Sequence, residues 1–261
     1  MLTLVINTSA GESRARYGID APYVPAAMAG VGVVLLAAAV VVLVAVGTGV
    51  AWARYLAVWA FISGAFSLLS CASYLHTTLR GKFLAWADVL DELGLRGDEH
   101  VLDMGPGRGA VLLLAAKRLP TGRAVGVDLW RSVDQSGNSQ ATTEANARAE
   151  GVADRVELRT GDMTSMPVAD GEFDVVVSSL AIHNIPTAEG RAAAVDEAVR
   201  ALRPGGRLAL VDFRHVDDYA RRLGELGAAG LRTRRLGWRF WYGGPWSGAM
   251  LVTGTKPDRA A

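Results

Sequence analysis

Hydrophobic positions divide the chain into two unlike parts. Residues 21–53 contain no Asp, Glu, Lys or Arg, and residues 55–79 contain none either, so Arg54 alone interrupts a long uncharged region. About 20 apolar residues are enough for a helix to cross the hydrocarbon core of a bilayer. The pattern therefore predicts a hairpin of two membrane-spanning helices, Val24–Val46 and Leu56–Tyr74.

Three other structures compete for this region: a signal peptide, a buried pair of soluble helices, and a single span with the second apolar run lying flat in the membrane interface. A signal peptide has a shorter apolar core and no second span after it. A soluble helix pair would carry a polar face, which the first run lacks. We therefore expect two spans, with the interfacial arrangement as the alternative.

Basic residues flank the predicted hairpin on one side. Arg14 and Arg16 precede it and Arg80 and Lys82 follow it, whereas the turn between the spans carries only Arg54. Because cytoplasmic flanks carry the excess of Lys and Arg, both ends of the hairpin are expected in the cytoplasm. The chain is thus expected to be an integral membrane protein whose larger, C-terminal part is cytoplasmic.

A stripe of small side chains follows one face of the second span and consists of Ala60, Ser63, Ser67 and Ser70. Small residues allow helices to approach closely in lipid. The sequence leaves open whether this face contacts the first span or a second copy of the chain. A homo-oligomer through these helices is therefore an open alternative.

After residue 81 short apolar runs alternate with helix-like segments. The predicted strands are His100–Met104, Arg123–Asp128, Arg155–Thr160, Phe173–Ser178 and Arg207–Phe213, with two more near Arg232–Leu236 and Ala249–Thr255. The predicted helices are Phe83–Leu93, Ala110–Arg118, Ser139–Glu150, Thr187–Leu202 and Val216–Leu226. Such alternation predicts an α/β fold with a mostly parallel sheet covered by helices on both faces.

Length and composition limit the organisation and the partners. The 261 residues divide into a tail (1–22), the hairpin (23–79), the α/β domain (80–256) and a second tail (257–261). The net charge of +1, without a basic cluster, argues against a nucleic-acid partner. Cys71 is the single cysteine, and none of the four histidines forms a close pair, so neither a disulfide within the chain nor a metal site is expected.

Candidate ligand-binding residues fall at the ends of the predicted strands, where open parallel sheets bind their ligands. They are Asp103 and Gly105, Asp128, Asp162, Ser178 and Ser179, His183 and Asn184, and Asp212. A carboxylate at the position of Asp128 can accept hydrogen bonds from two ribose hydroxyls, and Trp130 offers a face for an aromatic base. Asp162 can bind an exocyclic amine, with Met163 against the same base.

The glycine loop after the first strand fits two ligands. Gly105-x-Gly107-x-x-Ala110, with an acid at the end of the second strand, also satisfies the dinucleotide fingerprint. An acid two residues before the first glycine, Asp103, suits a cationic ligand end better than a pyrophosphate. The chain after the loop is also too short for a second substrate domain. A nicotinamide-dependent oxidoreductase nevertheless stays open as an alternative.

Residues 83–256 resemble the class I S-adenosylmethionine-dependent methyltransferases, here of a membrane-anchored, small-molecule type. The segments that carry the resemblance are Val101–Gly109, Gly126–Trp130, Gly161–Met163, Phe173–Ser178 and Leu202–Leu208. The resemblance implies a Rossmann-like seven-stranded sheet with an antiparallel last strand and S-adenosyl-L-methionine as cosubstrate. It assigns Gly105 and Gly107 to the amino-acid end of the cosubstrate, Asp128 to its ribose and Asp162 to its adenine.

The segment Asp128–Ser139 resembles a subgroup of small-molecule methyltransferases, which places Gln135 and Asn138 near the cosubstrate. The full set of expected cosubstrate residues is Asp103, Gly105, Gly107, Asp128, Leu129, Trp130, Gln135, Asn138, Asp162, Met163 and Ser178.

Fewer sequence features indicate which residues contact the methyl acceptor, the molecule that would receive the methyl group. Because the methyl group of the cosubstrate is already activated, most of the acceleration can come from holding it in line with the nucleophile. His183 is the candidate general base, since imidazole titrates near working pH; its alternative role is to cap the next helix or line the pocket. Asn184 is the second candidate after strand four. Trp241 and Tyr242, from the aromatic segment 238–246, are expected at the acceptor or the bilayer, unless this segment is only a packed turn.

The sequence thus predicts methyl transfer, by in-line displacement, to a lipophilic or amphipathic small molecule at the cytoplasmic membrane surface. The partners would be that acceptor and the lipid bilayer. Two alternatives remain at this stage: an NAD-dependent oxidoreductase that uses the same glycine loop, and a non-catalytic, membrane-anchored scaffold that binds S-adenosylmethionine.

Overall fold

The computed structural model describes residues 15–47, 49–131 and 137–258. Its helices are α1 (Tyr23–Val46), α2 (Ala51–His76), α3 (Lys82–Glu92), α4 (Ala110–Ala116), α5 (Gln140–Ala149), α6 (Ala188–Ala201) and α7 (Val216–Glu225). Its strands are β1 (His100–Met104), β2 (Arg123–Asp128), β3 (Val156–Thr160), β4 (Phe173–Ser179), β5 (Leu202–Asp212), β6 (Ala229–Arg235) and β7 (Met250–Thr255).

The two apolar helices α1 and α2 pack along each other as a hairpin. A Cβ atom at Gly64 would lie 2.9 Å from the carbonyl oxygen of Gly32, so the helices approach too closely there for any larger residue. Ser67 Oγ donates a hydrogen bond to the carbonyl oxygen of Met28 at 2.7 Å, and Ala60 is buried against α1 as well. Ala60 and Ser67 of the predicted stripe of small residues therefore face the first helix.

The outer surfaces of α1 and α2 are apolar and exposed. Val44, for example, exposes 80% of its surface, and Val34 and Ile62 are exposed as well. By length and composition alone, both helices could cross a membrane. Apolar faces of this extent mark surfaces that a partner or lipid covers. Whether α1 and α2 span a bilayer stays a prediction.

No loop separates the hairpin from the α/β domain. Helix α2 runs into α3 through a π-helical turn, Thr77–Gly81, and such turns are common at functional sites. A Cβ atom at Gly81 would overlap the carbonyl of Arg239. Thr77 Oγ1 and Ser73 Oγ both donate to the carbonyl oxygen of Trp241, at 2.8 and 3.1 Å. The hairpin is therefore held directly against the aromatic segment.

The seven strands form one sheet in the order β3-β2-β1-β4-β5-β7-β6. Strands β1 to β5 are parallel, and β7 runs antiparallel between β5 and β6, so the expected seven-stranded, Rossmann-like sheet is confirmed. Strand β5 begins at Leu202 rather than at Arg207. Leu202 already pairs with Phe173, and an irregularity in the register accommodates the residues between.

The core lies on both faces of the sheet. Val175 and Val177 of β4 belong to the cluster under α3 and α4, and Val176 belongs to the cluster under α6 and α7. The alternation follows from the period of two along a strand. Trp86 of α3 is almost fully buried in the first cluster. The helix that continues the hairpin is thus part of the core of the α/β domain.

Residues before the hairpin also pack on the domain, although the sequence predicts a tail there. The backbone N–H of Arg16 donates to Asn146 Oδ1 at 2.8 Å, and Tyr17 Oη donates to Glu150 Oε1 at 3.0 Å. The partners lie on and just after α5. The chain from residue 15 to the start of α1 therefore passes over the domain, where it reaches the site described next.

Candidate active site

A cavity of about 710 Å³ opens at the carboxyl ends of the parallel strands. One half, here called the cosubstrate half, is lined by Asp103, Gly105, Gly107, Asp128, Leu129, Asn138, Asp162 and Met163. The other half, the acceptor half, is lined by residues before, in and after the hairpin and by the aromatic segment. His183 and Asn184 line the cavity as well.

The glycine loop forms one wall of the cosubstrate half. Gly105, Gly107 and Gly109 have φ values of 75°, 55° and 87°, a region that L side chains rarely adopt. A Cβ atom at Gly105 would overlap Ala181. The backbone N–H of Gly105 donates to the carbonyl of Val127 at 2.9 Å, so the end of β2 fixes the loop. The loop leaves backbone directly exposed to a ligand.

Asp128, the last residue of β2, is held by the backbone around it. Its Oδ2 accepts from the N–H of Gly107 at 2.9 Å, and its Oδ1 accepts from the N–H of Trp130 at 2.6 Å. Asn138 Nδ2 lies 3.4 Å from the same Oδ1. These contacts orient the carboxylate at the cavity wall, where Oδ2 keeps a lone pair for a ligand hydroxyl.

Asp103 is the least satisfied group of the site. Only 1% of its surface is exposed, and within the described residues neither carboxyl oxygen makes a hydrogen bond of normal geometry. Burial, and then the negative charge of Asp128, raise the pKa of Asp103 to about 8. A buried carboxyl group without a partner is costly unless a ligand completes it. The ammonium group of S-adenosylmethionine is a cation of the required kind.

Asp162 is positioned at the far end of the cosubstrate half. Its Oδ1 accepts from both the N–H and the hydroxyl of Thr164, each at 2.8 Å. These bonds hold the pKa of Asp162 below its usual range, so the group is ionised at neutral pH. Met163 and Leu129 also line the cavity and offer apolar contacts for a ring. The set fits an adenine with an exocyclic amine.

His183 follows β4 and is paired with a carboxylate. Its Nδ1 lies 2.8 Å from Oδ1 of Asp212, and its backbone N–H donates to Oδ2 of the same residue at 3.1 Å. The side chain of Asp212 is buried and also accepts from Tyr219 Oη at 3.3 Å. The Nδ1–Oδ1 contact lacks the alignment of a hydrogen bond, and Nδ1 has no hydrogen-bond partner within the described residues. At 2.8 Å the carboxylate can still pair with the ring when the ring is protonated.

Known proteins resemble the α/β domain of this chain. Residues 102–210 match the family model described as a methyltransferase domain. A ubiquinone/menaquinone biosynthesis C-methyltransferase of Roseobacter denitrificans is 33% identical over 132 residues, which are 51% of this chain and 49% of that one. Residues 102–210, which contain the glycine loop and Asp128, are therefore similar to a methyltransferase domain. It spans about half the length of the curated relatives it matches.

Solved structures agree on the fold of the methyltransferase domain. Geranyl diphosphate methyltransferase in complex with S-adenosylmethionine superposes with a TM-score of 0.54 at 18% identity, covering 74% of this chain and 90% of that one. An O-methyltransferase of Thermotoga maritima superposes with a TM-score of 0.52 at 17% identity, covering 67% and 66%. The match to the methyltransferase model supports S-adenosylmethionine over a nicotinamide dinucleotide as the cosubstrate. So does the buried Asp103, whose carboxyl oxygens make no hydrogen bond of normal geometry within the described residues.

Three of the expected site residues do not line the cavity. Ser178 is buried and donates to the carbonyl of Met104 at 2.8 Å, whereas its neighbour Ser179 lines the cavity. Trp130 has a φ of 57° and donates through Nε1 to Thr160 Oγ1 at 2.9 Å. Trp241 contributes its carbonyl to the hairpin junction. Ser178, Trp130 and Trp241 therefore do not line the cavity, and their predicted contacts with ligand stay predictions.

Four other residues were predicted to contact a ligand, and the structure describes three of them. Gln135 lies outside the described residues. Asn138, Asn184 and Tyr242 line the cavity as predicted, and their contacts with ligand stay predictions. Within the described part of the chain, no cluster of three potential metal ligands is found.

The acceptor half of the methyltransferase site contains residues that the sequence did not indicate. They are Asp20, Tyr23, Val24, Tyr74, Lys82, Phe83 and Trp86, together with Phe213, Arg214 and Ser247. Asp20 accepts from Lys82, Thr78 and Tyr242, the last of which lies 222 positions away. Because no local pattern links positions so far apart, only the tertiary structure reveals this cluster.

Proposed function

We propose that this protein transfers a methyl group from S-adenosylmethionine to a lipophilic or amphipathic small molecule at the cytoplasmic surface of the membrane in which α1 and α2 are embedded. One observation carries the proposal. The cavity that begins at the glycine loop extends to the base of the apolar hairpin, where Tyr23, Val24 and Tyr74 line it. An acceptor dissolved in lipid would meet the site at that base.

The residues of the domain support this reaction by binding and orientation. When bound, the cosubstrate supplies a methyl group that is already activated for displacement by a nucleophile. Asp103, Asp128 and Asp162 would hold its ammonium, ribose and adenine, which fixes the position of the methyl group. Accurate alignment of two reacting groups accounts for a large part of the barrier reduction in such reactions.

His183 would remove the proton that the acceptor loses. Its Nε2 would accept this proton from a hydroxyl, or from the ring carbon that has gained the methyl group. Asp212, 2.8 Å from Nδ1, would stabilise the resulting imidazolium. A positioned base contributes about 10²- to 10⁴-fold to such a step.

The acceptor class follows from the apolar surroundings and from the relatives. The acceptor half is walled by aromatic and aliphatic side chains such as Phe83 and Trp86. The relative from Roseobacter denitrificans is named for quinone biosynthesis and for methylation at carbon. We therefore propose an aromatic acceptor with a hydrophobic substituent, of which a reduced quinone is one example.

The test uses the full chain in lipid nanodiscs. Calorimetry with S-adenosylhomocysteine and with NAD identifies the cosubstrate, and transfer of labelled methyl is measured to 1,4-naphthoquinol with and without a geranyl chain. We expect binding of S-adenosylhomocysteine and faster transfer to the geranyl compound. NAD binding without S-adenosylhomocysteine binding would contradict the proposal. Binding without transfer to any acceptor of a broad panel would favour the scaffold.

The membrane part of the proposal has its own test. Membranes from expressing cells are extracted with sodium carbonate at high pH, which releases peripheral proteins. The protein is expected to stay in the membrane pellet and to require detergent for release. Complete release by carbonate would show that α1 and α2 do not span the bilayer and would leave the interfacial arrangement.

A further inference from the structure

A buried ion pair lies in the wall of the acceptor half, at the junction of the hairpin and the domain. Lys82 Nζ lies 2.8 and 3.0 Å from the two carboxyl oxygens of Asp20. The side chains are only 8% and 21% exposed, and both residues line the cavity. Replacing a buried ion pair by apolar residues is often neutral or stabilising. Apolar residues at these positions would therefore stabilise the fold at least as well as the ion pair does. A role in binding a ligand explains the position of the ion pair in the cavity wall better than a role in stability.

Asp20 organises this cluster. Besides Lys82, it accepts hydrogen bonds from Thr78 Oγ1 at 2.7 Å and from Tyr242 Oη at 2.9 Å. Burial opposes ionisation of the carboxyl group, yet Lys82 and these hydroxyls together hold the pKa of Asp20 below its ordinary value. Asp20 is therefore an anion, and its carboxylate holds the side chains of its hydrogen-bond donors in place.

Lys82 and Tyr242 keep unused hydrogen-bonding capacity. An ammonium group has three N–H donors, and within the described residues only the two oxygens of Asp20 accept from it. The hydroxyl group of Tyr242 donates its proton to Asp20, and its oxygen can still accept a hydrogen bond from a ligand. Burial, and then the charge of Asp20, raise the pKa of Tyr242, so its proton stays in place. The cluster thus offers one donor and one acceptor.

The rest of the acceptor half provides apolar contacts. The same cavity is also lined by Tyr23, Val24, Tyr74, Phe83 and Trp86. An apolar chamber with a few placed polar groups is the usual design of a small-molecule site, in which the polar groups fix the orientation of the ligand. Lys82 and Tyr242 together match a hydroxyl group, which accepts a hydrogen bond from Lys82 and donates one to Tyr242.

We propose that Lys82 and Tyr242, fixed by Asp20, bind a hydroxyl group on the ring of the acceptor and so determine which acceptors are methylated. This inference rests on the proposed function, because it names the chemistry of the same acceptor. It also locates acceptor selection outside residues 102–210, the part that matches the methyltransferase model. Relatives with the same domain and another N-terminal region would then select other acceptors.

The test compares two probes that differ by one oxygen: 2-geranyl-1-naphthol and 2-geranylnaphthalene. Dissociation constants are measured for the full chain in nanodiscs saturated with S-adenosylhomocysteine, after subtraction of binding to empty nanodiscs. Wild type is expected to bind the naphthol at least about tenfold more tightly, because hydrogen bonds to a charged group discriminate by this amount. Equal binding of the two probes by wild type would overturn the proposal.

Two variants test which side chains cause the preference for the naphthol over the naphthalene. The double variant Asp20→Asn, Lys82→Met removes both charges without leaving one unpaired, and Tyr242→Phe removes only the hydroxyl. Both are expected to keep wild-type affinity for S-adenosylhomocysteine, and the preference for the naphthol should vanish in the double variant and shrink in Tyr242→Phe. A full preference in both variants would overturn the proposal. If the double variant does not fold, Tyr242→Phe alone decides the outcome.

The affinity for S-adenosylhomocysteine separates this inference from the function on which it rests. A wild-type protein that does not bind S-adenosylhomocysteine contradicts the methyltransferase proposal itself. A protein that binds it, and that binds both probes equally, contradicts only the role of Lys82 and Tyr242.

Discussion

The two halves of the cavity are built in different ways. The cosubstrate half takes its polar residues from strand ends and loops between positions 103 and 163, and backbone hydrogen bonds hold Asp128 and Asp162 in place. The acceptor half draws on segments near positions 20, 80, 213 and 242, which meet only in the folded chain. Local motifs therefore build the first half, whereas the second half exists only where the hairpin meets the α/β domain.

The largest effect is expected at His183, which lies between the two halves. His183→Asn should lower the methyl-transfer rate by about 10²- to 10⁴-fold, because it removes the proton acceptor. Affinity for S-adenosylhomocysteine should stay near that of wild type. His215→Asn is the matched control, since His215 does not line the cavity. Wild-type turnover in His183→Asn would leave the residue a purely structural role.

The glycine loop tests the cosubstrate half alone. Gly105→Ala places a Cβ where it overlaps Ala181, at a φ of 75° that already disfavours a side chain. We expect affinity for S-adenosylhomocysteine to fall by about 100-fold, since left-handed strain of about 1–2 kcal/mol adds to the displaced loop. Gly151→Ala is the control, because Gly151 has a φ of 69° and open space around it. Equal losses in both variants would attribute the effect to backbone strain alone.

The contrast between the two halves of the cavity also explains which site residues could be predicted from the sequence. Strands β1 and β2 lie at the predicted residues because short apolar runs end there in polar, glycine-rich turns. Asp103, Gly105, Gly107 and Asp128 follow from the same local pattern. The side-chain directions of Trp130 and Ser178 do not, because a left-handed backbone turns the first aside and the carbonyl of Met104 binds the second.

The acceptor half was beyond sequence reasoning for a different reason. In the sequence, Lys82 marks only the positively charged flank of a span, and Asp20 is one acid before an apolar run. Their pairing depends on the π-helical turn at Thr77–Gly81 and on the path of residues before α1 across the domain. Neither the turn nor that path leaves a periodic signal. The sequence therefore predicts the hairpin as an anchor but not as part of the site.

The junction tests whether the hairpin shapes the acceptor half or only localises the enzyme. Gly81→Ala would push the hairpin away from Arg239 and the aromatic segment. We expect kcat/KM for the lipophilic acceptor to fall by about tenfold, since misplacement by about 1 Å can cost more than this, while S-adenosylhomocysteine binding is retained. Gly30→Ala is the control in α1, where an added Cβ meets nothing. Unchanged kinetics in Gly81→Ala would indicate a simple anchor.

The smallest expected effect concerns pH and returns to the cosubstrate half. In the free protein the pKa of Asp103 is raised to about 8, so most of this carboxyl group carries a proton at pH 7. Binding of the ammonium group favours the ionised form, which must release that proton. Affinity for S-adenosylhomocysteine should therefore rise about fivefold from pH 7 to pH 8, as the ionised fraction of the free protein rises.

Calorimetry in buffers of different ionisation enthalpy measures this proton release directly. Wild type should release close to one proton per S-adenosylhomocysteine at pH 7, and Asp103→Asn should release none and show no such pH dependence. The acceptor half provides the contrast, because Tyr242→Phe leaves Asp103 untouched and should release the same proton as wild type. Proton release in Asp103→Asn equal to that of wild type would assign it to another group and would mean that binding leaves the protonation of Asp103 unchanged. In that case, the unpartnered carboxyl group would need a partner other than the cosubstrate, and the cosubstrate half would be less complete than its geometry indicates.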